Sequence, residues 1–281
     1  MIVVTGGSGK LGRVCVKDLM DHGHDVTNID MAPPRDPGVR FSRADITDFG
    51  QAMAALSMID ERVAKVTGVV TADLARKVAP GGRVFAVDPS AGLLDRARVL
   101  TRVAGIGHLV DVRVADGRAL PFGLAAFDAA VCHWVLLHVD RPGEVIAEMK
   151  RVTRRGGRVL SVEADWETAM VQPGERIITR RILNHSADRN LDPWIGRRLP
   201  GLYAAAGFAE VVVHPMLLTD QGGEDRVWLD YLVGRASLAL EAAVITRDDF
   251  AAWTGELNAA FAAGTFFFAF VQFAVLGRMP A

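Results

Sequence analysis

Short all-apolar runs alternate along this chain with longer stretches in which apolar residues recur every three or four positions. The first kind marks buried strands and the second marks amphipathic helices. Ile2–Val4 is such a strand, Lys10–His22 reads as a helix, and Asp25–Ile29 is a second strand ending at Asp30. After the Pro-rich loop Met31–Gly38, a short strand over Val39–Ala44 and a helix over Phe49–Ile59 are expected. A helix over Val63–Ala79 stops at Pro80-Gly81-Gly82, a helix-terminating sequence. Strands over Arg83–Val87, Leu109–Ala115, Phe127–His133 and Arg158–Glu163 then alternate with helices over Ala91–Ala104 and Gly143–Thr153. Helices over Gly174–Asn184 and Leu199–Ala206, a strand over Glu210–His214, helices over Glu224–Ala243 and Arg247–Ala262, and a closing strand over Phe266–Leu276 complete the pattern. This alternation predicts an α/β protein: a doubly wound, mostly parallel sheet with helices on both faces.

Residues 257–277 carry no charge and are long enough to span a membrane. Asn258, Gly264, Thr265 and Gln272 interrupt them, and the second half is aromatic and β-branched. The stretch therefore reads as the end of a helix, a break at Gly264 and a buried strand. Across 281 residues the composition is 50% hydrophobic and 23% charged with a net charge of −1, which is ordinary for a globular chain and gives no sign of a nucleic-acid partner. Arg151, Arg154, Arg155, Arg197 and Arg198 are expected at solvated helix ends. Cys15 and Cys132 have no metal-type spacing and read as buried thiols, so a cytoplasmic location and no metal site are expected.

Thr5-Gly6-Gly7-Ser8-Gly9-Lys10-Leu11-Gly12 follows a strand and opens a helix. In that setting Gly6 permits a tight turn, Gly9 lets the backbone approach a pyrophosphate, and Gly12 lets helix and strand pack closely. Asp30 ends the second strand, where a carboxylate can accept both hydroxyls of a ribose and favours NAD over its 2′-phosphorylated form. These residues resemble the opening of the extended short-chain dehydrogenase/reductase family over roughly residues 1–59. Asp45 matches the residue that lies near the adenine in that family. The resemblance stops short of the chemistry, which needs a Tyr-x-x-x-Lys pair: Tyr203 is followed by Gly207 and Tyr231 by Arg235.

Five further motifs stand in order from residue 67. They are Thr67-Gly68, Val87-Asp88-Pro-Ser, Val114-Ala-Asp116-Gly117-Arg-Ala-Leu-Pro121-Phe, the run Phe127-Asp128 through His133 to His138, and Arg155-Gly156-Gly157-Arg-Val-Leu. Together they resemble class I S-adenosylmethionine-dependent methyltransferases acting on quinones, polyketides and other small molecules. The resemblance implies that Gly68 ends the glycine turn, that Asp88 holds the ribose diol, and that Asp116, beside Gly117, accepts from the adenine amino group. It places His133 and His138 under the methyl donor, as cofactor contact or base; the ordinary reading of each is a core or loop histidine. Trp166–Trp194 and the helices from Trp228 to Phe261 would supply an apolar cover for the acceptor.

The chain departs from this family as well. Ala64-Lys65-Val66 stands where a strand and Gly-x-Gly would precede Thr67. A fusion follows: a Rossmann-type β-α-β fragment at 1–59 and a methyltransferase-like domain at 60–281 without its own first strand. Ile2–Val4 is expected to fill the vacant central slot, because an empty slot would leave the backbone groups of two strands unpaired; the alternative is a separate lobe. The functions implied are methyl transfer from S-adenosylmethionine to a small, partly apolar acceptor, or an NAD-binding protein without catalysis, or a fusion with lost activity. The acceptor and the oligomeric state are open.

Overall fold

The computed structural model describes residues 2–5, 17–18, 20–22, 26–30, 40–43, 69–79, 81–222 and 226–280. The helices expected at Lys10–His22 and Phe49–Ile59 lie wholly or mostly outside them. The chain divides into two compact units, one of Met1–Ala86 with Ser90–Arg113, the other of Val87–Pro89 with Val114–Ala281.

In the first unit β1 (Ile2–Thr5), β2 (Val26–Asp30) and β3 (Arg40–Arg43) form a parallel sheet in the order β1-β2-β3, with Ile2 opposite Val26 and Thr27 opposite Arg40. The three strands expected from the apolar runs are all present. The expected insertion of Ile2–Val4 into a central slot is not: among the described strands, β1 pairs with β2, in a sheet separate from those that follow. The unit also holds helix α1 (Val69–Val78) and helix α2 (Ala91–Val103), the latter capped by the Ser90 hydroxyl, which accepts from Leu93 N. Strands β4 (Val84–Asp88) and β5 (Val110–Val114) pair with each other, and their last residues belong to the second unit.

The second unit is built on a four-stranded sheet in the order β6-β7-β9-β8: Phe127–His133, Thr153–Gln172, Phe267–Arg278 and Glu210–Asp220. β6 and β7 are parallel, as expected, but β9 runs antiparallel to both β7 and β8, so this sheet is mixed. Five helices accompany it: α3 (Pro142–Val152), α4 (Arg176–Asp188), α5 (Ile195–Ala205), α6 (Val227–Glu241) and α7 (Arg247–Ala263).

β7 is far longer than the strand expected at Arg158–Glu163, because charges that look like strand-ending residues are neutralised in place. Asp165 is 1% exposed and receives both Nε and Nη2 of Arg197. The register shifts between Asp165 and Met170, and Thr168 bridges the irregularity: its hydroxyl donates to Asp165 O at 2.7 Å and accepts from Val271 N at 2.8 Å. β8 likewise runs past Pro215, which is tolerated because β8 is an edge strand. Helix α5 begins at Ile195, ahead of the expected Leu199, and continues through Pro200. Gly196 permits its close approach to β7, since a Cβ there would lie 2.9 Å from Glu163 O. The break at Gly264 is real: Gly264 ends α7 at φ 70°, a left-handed cap, and β9 follows. No helix among the described residues is long and apolar enough to cross a membrane.

The core of this unit joins the sheet to its helices through Leu136, Ile146, Val159, Ile182, Leu199, Leu229, Leu257 and Phe270, all buried. Cys132 is buried as expected and donates to Ser161 Oγ at 3.1 Å, which in turn shares a 2.7 Å bond with Tyr203 OH. Cys15 lies outside the described residues.

Candidate functional site

The ends of β4 and β5 are held side by side, for Ala115 N donates to Asp88 O at 3.2 Å. Asp88 and Asp116 therefore stand on neighbouring strand ends, and Asp88 is half-buried. The Asp116 carboxylate is already engaged. Oδ1 accepts from Arg118 N at 2.8 Å, and Oδ2 accepts from Arg118 Nη2 at 2.6 Å. These bonds with Arg118 hold the Asp116 carboxyl down to about 2. Arg118 Nη1 also donates to Asp140 at 2.6 Å, tying the loop after β5 to the turn that carries His138. Gly117 packs on Val145 of α3, where a Cβ would meet Cγ1 at 3.5 Å. Arg151 fastens the same loop to α3: it donates to Leu120 O at 3.1 Å and Phe122 O at 2.9 Å and pairs with Glu148.

Arg151 is thus held by backbone and carboxylate partners rather than solvated, whereas Arg197 and Arg198 stay exposed in the first turn of α5, as expected. Arg197 pairs with Asp165 and stacks over Trp194 at 5.3 Å, while Arg198 pairs with Asp192, which is 9% exposed. Arg154 does pair at the surface, with Asp128 at 2.7 Å. Only Arg151 departs from the expectation, because the carbonyls that hold it, Leu120 and Phe122, lie elsewhere in the sequence.

His133 ends β6 and stacks on Trp134 at 5.0 Å, the planes 16° apart. Burial pushes its pKa down to about 4, so the ring is neutral near pH 7. His138 is exposed at the end of the short 3₁₀ turn Leu136–His138, and its pKa is lowered by partial burial and by the Arg235 charge.

Between them the backbone does something the sequence does not announce. Trp134 takes a positive φ of 54°, strained for a bulky residue. It is over-determined: Trp134 N donates to Val162 O at 2.9 Å, and Trp134 Nε1 donates to Gln272 Oε1 at 3.2 Å. Glu163, fully buried at the core of β7, accepts from Val135 N and Leu136 N, both at 2.8 Å through Oε1. Burial raises its pKa to about 8, and Oε2 has no hydrogen-bond partner. A mostly protonated acid therefore pins the turn that carries both histidines.

Beyond that turn lies an aromatic cluster. Trp166 stacks on Phe270 at 4.7 Å and on Tyr231 at 5.6 Å, and meets Trp134 edge-on at 6.0 Å. Trp228 contacts Phe268 at 5.1 Å and Tyr231 at 5.4 Å. Trp166 and Trp228, both expected to lie in an apolar cover, contact each other at 6.5 Å. Trp194 is 46% exposed and carries Arg197 instead.

With the strand ends, the acid and the aromatic wall in place, comparison with known proteins becomes informative. Residues 62–161 match the methyltransferase domain family. Residues 2–73 match the NAD dependent epimerase/dehydratase family. A 37.1 kDa uncharacterised protein of a Streptomyces fradiae transposon is 34% identical over 144 residues, covering 51% of this chain and 41% of the relative. An uncharacterised methyltransferase of Schizosaccharomyces pombe is 33% identical over 168 residues, covering 56% and 59%. A ubiquinone/menaquinone biosynthesis C-methyltransferase of Hahella chejuensis is 34% identical over 110 residues, covering 39% and 43%. The chain thus spans about half the length of the curated relatives it matches. A solved protein of Bacillus halodurans, provisionally described as a methyltransferase, shares 18% identity with a TM-score of 0.53 over 78% of this chain and 90% of its own. This likeness gives the chain a Rossmann-like methyltransferase fold over that share of its length.

Of the residues expected in a cofactor site, Asp88, Asp116 and Gly117 fall together at the β4 and β5 ends, with the histidine turn tied to them through Arg118 and Asp140. Asp30 ends β2 in the first unit. Gly6, Gly9, Gly12, Gly68 and Asp45 lie outside the described residues. Sequence reading missed Glu163, Arg118 and Trp134. A carboxylate closing an apolar strand was the one available signal for Glu163. Of the two tyrosines, Tyr203 is fully buried and shares a hydrogen bond with Ser161.

Proposed function

We propose that this chain transfers a methyl group from S-adenosylmethionine to a small, partly apolar acceptor of the quinone or polyketide kind. The observation that carries the reading is the match of residues 62–161 to the methyltransferase domain family, with Asp88 and Asp116 on neighbouring strand ends inside it. A ribose and an adenine need acceptors at adjacent strand ends, and this is where the two carboxylates stand. Asp88 suits the ribose diol. Asp116 suits the adenine only if the amino group joins Arg118 on a carboxylate that already takes four contacts from that arginine. The likeness to a ubiquinone/menaquinone biosynthesis C-methyltransferase adds the quinone direction.

When bound, S-adenosylmethionine supplies an already activated methyl on its sulfonium. What remains for the protein is to orient the acceptor, exclude water and receive the proton that leaves as the new bond forms. The aromatic cluster does the first two. His133 and His138 are neutral near pH 7 and stand ready for the third.

A second reading has its own observation: the parallel β1-β2-β3 sheet and the epimerase/dehydratase match over residues 2–73 suit a nucleotide-binding fragment, with NAD on Gly6, Gly9, Gly12 and Asp30. In this view residues 1–59 are a fragment fused to a methyltransferase-like domain at 60–281. Thermal unfolding with S-adenosylmethionine, its demethylated product and NAD separates the possibilities, since a ligand that binds only the folded form raises the midpoint. The two sulfur nucleosides should raise it. A rise with NAD alone supports the second reading, and no rise with any ligand sinks both in favour of a fold without ligand.

A further inference from the structure

Every hydrogen bond that the Asp116 side chain accepts among the described residues comes from Arg118. Arg118 N and Nε donate to Oδ1 at 2.8 and 3.1 Å, and Nε and Nη2 donate to Oδ2 at 3.1 and 2.6 Å. An ionised carboxylate offers about four lone-pair sites, so this set leaves none open. The backbone makes the return of Arg118 local: Ala119 N donates to Asp116 O at 3.0 Å, closing a turn over Asp116–Ala119. The turn is anchored to α3, where Leu120 N donates to Glu148 Oε2 at 2.8 Å. The guanidinium has a second acid within reach, for its Nη1 donates to Asp140 Oδ1 at 2.6 Å. Both pairs are open to water: side-chain exposure is 47% for Asp116, 31% for Arg118 and 60% for Asp140.

We propose that Arg118 competes with the adenine amino group of the methyl donor for the Asp116 carboxylate, and that it gives way by moving onto Asp140. The inference rests on the methyl-transfer reading, in which Asp116 meets the adenine. The amino group and the guanidinium are both donors, so neither can bond the other and only one can hold a given lone pair. Arg118 stands two residues from Asp116 on the same turn, so it is always at hand, whereas the methyl donor must arrive from solution. The competition stays mild, because an exposed ion pair is weak. Asp140 keeps the displaced charge paired, so the arm swings from one acid to the other. Donor affinity is thereby held below what an unoccupied Asp116 would give, and the amino group is the part of the donor that Arg118 opposes.

Calorimetry of the full chain with S-adenosylhomocysteine tests this, alongside an analogue that carries unsubstituted purine in place of adenine and so lacks the amino group. Arg118→Met keeps an unbranched stem and removes every donor of the side chain. The variant should bind S-adenosylhomocysteine about three- to fivefold more tightly than the native chain, the range of an exposed ion pair. It should bind the purine analogue as the native chain does. A folded variant that binds S-adenosylhomocysteine no more tightly overturns the proposal, as does an equal gain for the purine analogue. In either case the methyl-donor reading still stands on the native chain's own binding. No binding of either ligand by either protein sinks that reading and the proposal with it. Should Arg118→Met fail to fold, the native chain decides alone. Raising sodium chloride from about 0.05 to 1 M screens the exposed pair, so the preference for S-adenosylhomocysteine over the purine analogue should widen. A preference unchanged by salt then overturns the proposal.

Discussion

Two neighbouring regions of the second unit are built by opposite chemistry. At the ends of β4 and β5 the side chains are carboxylates and an arginine, exposed or half-exposed and bonded to one another: Asp116 with Arg118, Arg118 with Asp140. Around the end of β6 they are Trp134, with Trp166 on β7 and Trp228 and Tyr231 on α6, and the acids nearby, Glu163 and Asp165, are fully buried. The first kind of end can exchange hydrogen-bond partners with a polar nucleoside at little cost, because its groups are already partly solvated. The second kind gains by covering apolar surface and punishes unpaired polarity. A methyl transferase needs both, a polar grip on the donor and a dry, shaped place for the acceptor. That division of labour is what the comparison teaches.

The aromatic end is where changes cost most. Trp228→Ala removes a ring that touches Trp134, Tyr231, Phe268 and Phe270. It is expected to destabilise by about 3–5 kcal/mol, the usual cost of deleting a buried large aromatic. Urea unfolding measures this. A loss below about 1 kcal/mol would mean that the cluster is not packed as a core and the contrast with the polar end is false.

Glu163 gives a smaller effect with a definite sign. Its folded pKa, about 8, lies above the ordinary 4.5, so the folded chain holds this proton more tightly than the unfolded one. The stabilisation is full below about 4.5 and is lost as pH rises towards 8. His133, whose pKa is lowered to about 4 from 6.5, works in the opposite sense at lower pH. The clean window is therefore about pH 7.5–8, a unit above the ordinary imidazole value, where His133 is neutral in both states. Stability of the native sequence should fall across that window, and Glu163→Gln, which mimics the protonated acid, should flatten the fall. Equal slopes for the two proteins would show that Glu163 is ionised and that the turn is held differently.

Much of the fold was legible because periodicity is local. Phe127–His133 and Arg247–Ala263 could be placed almost to the residue from apolar spacing, and the Thr246 hydroxyl, which accepts from Asp249 N, caps the second. What could not be read is what depends on distant partners. β7 runs on through Asp165 because Arg197 neutralises it, and β8 runs through Pro215 because β8 is an edge. The same holds at the site. Asp88 and Asp116 were visible as acids at strand ends, whereas the engagement of Asp116 by Arg118 emerges only in three dimensions. The pairing of β1 with β2 was decided the same way: an apolar run shows that a strand exists but not which sheet it joins.

The central claim is that the polar end grips a methyl donor, and calorimetry of S-adenosylmethionine with the native chain and with Asp88→Ala tests it most directly. The native chain should bind, and the variant, folded by its melting curve, should bind more weakly by about 1–3 kcal/mol, the loss of a charge-assisted acceptor from the ribose hydroxyls. Equal affinity in the two folded proteins, or no binding by the native chain, would contradict it.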